Sequence, residues 1–163
     1  MIDPYTVWKT LHVISAAILL GTGLGIAFFA WFGYRRALRV GEIGGLRSVL
    51  RLTVVADAVF TAPAVVFQVI SGLVLMHMNS WPLATPWAVT VLSLFALVGL
   101  FWLPVVAIQI VQSREAERAT SVIDLASSFH WRFILWFVLG IPAFLLVLAI
   151  FFLMIAKPLP FAG

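Results

Sequence analysis

The chain has 163 residues, 64% of them hydrophobic and only 10% charged, with ten Lys and Arg against six Asp and Glu. A mean hydropathy of +1.16 excludes a soluble domain of this size. The absence of cysteine excludes disulfides, thiolate metal sites and Cys-ligated iron–sulfur clusters.

Apolar stretches at 13–31, 52–78, 87–108 and 133–156 account for most of the chain. Each approaches or exceeds the ~20 residues a helix needs to cross ~30 Å of hydrocarbon, and a lipid-exposed span must satisfy its own backbone. The expectation is an all-α polytopic membrane protein, a four-transmembrane-helix bundle. One domain covers 1–163, with helices at about 7–34, 52–78, 86–112 and 131–156. Eight of the ten basic residues lie in or beside two alternate gaps: Arg35, Arg36, Arg39, Arg47 and Arg51, then Arg114, Arg118 and Arg132. The positive-inside rule puts those gaps in the cytoplasm and both termini outward, in a bacterial inner membrane. The partners this implies are anionic lipids, not nucleic acid.

The first helix begins near Pro4, with Tyr5 and Trp8 at interface depth. Lys9 and His12 are three apart and share a face. Lys9 reads as a snorkelling residue, and His12 either as a structural imidazole bonded to Ser15 or another helix, or as a cofactor ligand. Gly21 and Gly25 form a GxxxG, chiefly a packing face. Gly23 lies on roughly the face of His12 and leaves room for a planar group.

The segment 35–51 mixes arginines with Leu38, Val40, Ile43, Leu46, Val49 and Leu50, which predicts a short amphipathic element broken at Gly44-Gly45. The second span carries a polar stripe of Asp57, Thr61, Gln68 and Ser71, within roughly 80° on a straight helix. Asp57 is an acid at membrane depth, so Arg51, Arg132 or His130 is the expected partner; proton relay is the alternative role. His77 closes this helix between Met76 and Met78, on the side away from Asp57. Kinks are expected at Pro63, Pro104 and Pro142. Thr85-Pro86 predicts a helix start. Gln109 and Gln112 reach the interface and carry no special role. The segment 113–128 is expected to be partly helical.

The runs Lys9-Thr10-Leu11-His12, Gly21-Thr22-Gly23-Leu24-Gly25, Ala56 to Ala64, and Leu103-Pro104-Val105 with Gln109 resemble the DUF2269 group of small integral membrane proteins, across nearly all four helices. More distantly, Lys9-x-Leu-His12, and Pro63-Ala64 with Ser71-Gly72-Leu73, are similar to the HemJ-type protoporphyrinogen oxidase family, which is haem-binding. The Trp-to-Lys pattern of that family's third helix is missing after Trp87, and Arg35 and Arg36 stand where its further histidine would be.

The leading expectation is a haem b-binding redox protein in the outer half of the bundle. His12 would be axial ligand, His77 a weaker second, Lys9 a propionate partner and Gly23 a spacer, with quinone as electron partner. The alternatives are a membrane component that assembles with another protein or a second copy, and an outward copper site at His12, His77 and the flanking methionines.

Overall fold

The computed structural model describes residues 3–156. All regular elements among them are helical: α1 (Pro4–Val40), α2 (Ile43–Ala56), a π-turn (Asp57–Thr61), α3 (Ala62–Met78), α4 (Pro86–Arg118), a 3-10 turn (Val122–Asp124) and α5 (Ser127–Ile155). Four helices are long and apolar enough to span a membrane: Pro4–Val40, Ile43–Met78, Pro86–Arg118 and Ser127–Ile155. The expected position of the C-terminal tail concerns 157–163, outside the described residues.

Local chemistry sets most boundaries. Asp3 caps α1 by accepting from the Thr6 amide, and Thr85 caps α4 by accepting from Ala88 at 3.3 Å, with a proline at or near the start of each helix. At 37 residues α1 rises roughly 55 Å, well past a bilayer core. It stops at Gly41, whose φ of 76° is left-handed. The break expected at Gly44-Gly45 is therefore displaced: those two glycines lie in the first turn of α2, which runs through them into the second span. The left-handed cap needs only one glycine. The other two tolerate helical angles at modest cost. Gly33 has a packing reason, since a Cβ there would meet Val49 at 3.2 Å.

The helices form two hairpins. In the first, α1 packs along α2 and α3; in the second, α4 packs along α5. The hairpins meet chiefly through α2 on α4, with a lighter contact of α1 on α5. The core therefore sits at the Arg-rich end, where Tyr34, Leu46, Leu50, Phe129, Phe133 and Trp136 are buried together. At that end Arg132 pairs with Glu115, and Tyr34 shares a 2.7 Å hydrogen bond with His130. Towards the other end each hairpin packs on itself. Ser15 donates to the Ala64 carbonyl at 3.3 Å, and Trp87 Nε1 to the Leu153 carbonyl at 3.0 Å. A cavity of about 310 Å³ separates the hairpins.

Candidate functional site

The second span changes its winding where it reaches the cavity. Pro63 has no N–H to give to the carbonyl four residues back, so the α ladder is interrupted there. The chain responds in the preceding turn with the π-turn, in which the Ala62 amide bonds the Asp57 carbonyl. That carbonyl is the usual acceptor for a buried threonine four residues on. Thr61 is 4% exposed, and its hydroxyl has no hydrogen-bond partner among the described residues.

Asp57, 7% exposed, sits at the same end of the cavity. Its Oδ2 accepts from Gln109 Nε2, and Gln109 Oε1 accepts from Trp136 Nε1 at 3.2 Å. The two bonds fix the Gln109 amide orientation and tie α4 and α5 to the second span. The expected cationic partner is not there. Arg132 is held by Glu115, His130 by Tyr34, and Arg51 is exposed. Those three belong to the Arg-rich end, whereas Asp57 faces the gap between the hairpins. Gln109 therefore has the role that the sequence reading denied it. Gln112, one turn on, is 1% exposed, and neither end of its amide has a partner among the described residues.

The cavity walls are apolar. Phe95, Trp102, Trp136, Phe137 and Phe144 bring aromatic rings to them. Gly23, Gly99 and Gly140 also line it, and a Cβ at any of them would meet nothing within 4 Å. Leu24, Ile141 and Leu145 line it while remaining exposed, so it opens sideways between the hairpins. At Gly21 and Gly25 an added Cβ would meet nothing within 4 Å among the described residues.

His12 belongs to a separate place, the α1–α3 seam far from the Arg-rich end. Ser71 donates its hydroxyl proton to the Phe67 carbonyl at 2.6 Å, and its Oγ shares a 2.7 Å hydrogen bond with His12 Nδ1. Gln68 Nε2 donates to the His12 carbonyl at 2.7 Å, and a Cβ on Gly72 would meet the ring edge at 3.5 Å. Of the two expected sources of a bond to His12, Ser15 or another helix, Ser71 of α3 supplies this one. His77 lies six residues past Ser71, about 120° around the helix, and is exposed. Lys9 Nζ lies 5.8 Å from the Tyr5 ring centre. Gly23 is eleven residues from His12, ~16 Å along the helix, and lines the cavity; His12 does not. Among the described residues no cluster of three or more His, Asp or Glu is arranged to hold a metal ion.

The cavity does not fit a haem. No histidine, methionine, tyrosine or lysine lines it to take an axial position.

No curated protein and no solved structure matches this chain. A family model described as "Predicted integral membrane protein (DUF2269)" matches residues 6–158. The same stretch contains all four apolar helices, and the chain belongs to the DUF2269 family of integral membrane proteins.

Proposed function

We propose that this protein binds a small lipid-soluble molecule within the membrane plane, between its two hairpins, with Asp57 and Thr61 engaging the polar end. The observation that carries this reading is the unpartnered Thr61 hydroxyl beside Asp57 at the end of an apolar cavity. A buried hydroxyl without a partner costs on the order of 1–3 kcal/mol, which a ligand can recover. Apolar walls with a few convergent polar groups are the general form of a small-molecule site. The sideways opening suits a ligand that partitions into the bilayer first. By the positive-inside rule the Arg-rich end, and with it the polar end of the cavity, lies towards the cytoplasm of a bacterial inner membrane.

The test is mass spectrometry of organic extracts of the purified protein. A small molecule should co-purify with wild type and be depleted in Gly99→Leu, which fills open space on the cavity wall. Equal extracts from the two proteins overturn the reading.

One observation favours a second reading. Ser71 Oγ lies 2.7 Å from His12 Nδ1, the kind of bond that orients an imidazole bound to a metal. A haem b on the seam side would take His12 as sole histidine ligand, with Lys9 near a propionate. Wild type expressed with haem should then show a Soret band that is lost in His12→Ala; a colourless wild type eliminates the reading.

A further inference from the structure

We infer that the cavity selects a lipophilic cation, a protonated amine on an aromatic or alkyl body, over neutral or anionic molecules of the same shape. This rests on the binding role proposed above and names its ligand class.

The argument starts from unbalanced charge. Asp57 places a carboxyl at the polar end of the cavity, and no Lys, Arg or His lines the walls. Gln109 occupies Oδ2; Oδ1 makes no hydrogen bond among the described residues. An isolated carboxylate in apolar surroundings is costly unless donors or a counter-charge reach it. The described residues supply one amide donor and no cation.

Each ligand class meets that arrangement differently. A carboxylate or phosphate ligand is repelled. A quinone carbonyl accepts from Thr61 but turns its other lone pair towards Oδ1, so two acceptors oppose each other. An ammonium gives one proton to Oδ1 and another to Thr61 Oγ1, so the orphan hydroxyl and the second carboxyl oxygen gain partners together. Thr61 lies four residues after Asp57, so one head group reaches both. The rest of the cavity agrees. Trp102, Phe95 and Phe137 line it, and aromatic rings attract cations as well as packing on alkyl or aryl bodies.

The test is calorimetric titration of the detergent-purified full chain with phenylbutylamine and with phenylbutanol, its uncharged counterpart. Wild type is expected to bind the amine about tenfold or more tightly than the alcohol, as a desolvated charge pair requires. The preference should vanish in Asp57→Asn, while the alcohol binds both proteins alike. Gly99→Leu should weaken both ligands. Equal binding of amine and alcohol to wild type overturns the cation inference and leaves the binding role standing. Binding of neither overturns both. Amine binding that survives Gly99→Leu puts the site elsewhere and also overturns both. The wild-type comparison needs no variant, so poor folding of Asp57→Asn leaves the test decisive.

Discussion

Gln109 and Asp57, 52 residues apart, are joined by a buried hydrogen bond in which the amide nitrogen donates to the carboxyl. The bond docks the second hairpin on the first at the edge of the cavity. Gln109 also accepts from Trp136, so it is the centre of a three-residue chain. Gln109→Leu removes the donor from Asp57 and the acceptor from Trp136 at once. A loss of about 1–3 kcal/mol is expected. Trp136→Phe removes one bond and keeps most of the ring, with a loss of about 1 kcal/mol from that bond. Thermal unfolding in detergent checks both, and an unchanged midpoint in Gln109→Leu refutes the docking role.

Asp57→Asn is expected to be mild. A buried ion pair with arginine or histidine, the sequence-based expectation, would make the variant cost ~3–5 kcal/mol. The observed partner is an amide donor, and asparagine keeps an oxygen to accept from it. The expected change is below about 1 kcal/mol, in either direction. A collapse in yield or melting temperature would reinstate a buried charge pair at this position.

Arg47 ties α2 to the end of α4. Its Nε donates to the Ala116 carbonyl at 3.1 Å and its Nη2 to the Ala119 carbonyl at 2.9 Å. Both acceptors lie at the α4 C-terminus, where carbonyls lack helical partners and a cation is favoured. Arg47→Met should cost about 1.5–3 kcal/mol. Arg47→Lys should recover less than half of that, because an ammonium on a flexible stem does not reproduce the planar fork. Chemical unfolding of the two variants side by side is the measurement; full rescue by lysine would show that charge alone suffices.

The four spans and the alternation of arginines are legible because hydropathy and charge act residue by residue. The Thr85-Pro86 start is legible for the same reason: its chemistry is local. The Gly41 turn is less so, since three glycines within five residues all permit a break and packing of Gly33 on Val49 helps fix the register. The partner of Asp57 is not local at all. It depends on how the hairpins dock, and charge pairing draws attention to arginines when the donor is an uncharged amide. One signal was present: Gln109 stands alone among apolar neighbours from Val105 to Val111, at a depth comparable to Asp57. The cavity had no sequence signal beyond Gly23, Gly99 and Gly140. Glycine reads as close packing as readily as empty space.

The loop at 120–124 should respond to acid. Asp124 accepts from the Thr120 hydroxyl, from the Ser121 amide at 2.7 Å and from the Thr120 amide at 3.0 Å. The Thr120 side-chain bond, followed by the Ser121 backbone, holds its carboxyl below the usual carboxylate range. A lowered folded value means that the stabilisation is present above the unfolded value and is lost as pH falls through the folded one. Hydrogen exchange at the Thr120 and Ser121 amides should therefore show protection at neutral pH that fades below the carboxylate range. Asp124→Asn should remove that dependence, and pH-independent protection in wild type would contradict the assignment.

Orientation in the membrane follows from charge placement and can be tested at two described loops. Gly44 lies at the Arg-rich end, next to Arg39, Arg47 and Arg51, with Arg114 and Arg118 on the other hairpin. Ser80 lies in the connection between α3 and α4, where 79–86 carries no charge. Basic residues within reach of the span ends set orientation, and here eight of the ten favour one side. A cysteine placed at Ser80 should be labelled by a membrane-impermeant maleimide in intact cells. One at Gly44 should be labelled only after lysis; the chain has no native cysteine to confuse the readout. The same labelling tells which leaflet is nearer the polar end of the cavity. Asp57 sits one helix segment from Gly44, so a cytoplasmic Gly44 puts Asp57 and Thr61 in the inner half of the bilayer. Labelling in the reverse pattern would place the Arg-rich end outside and turn the cavity over with it.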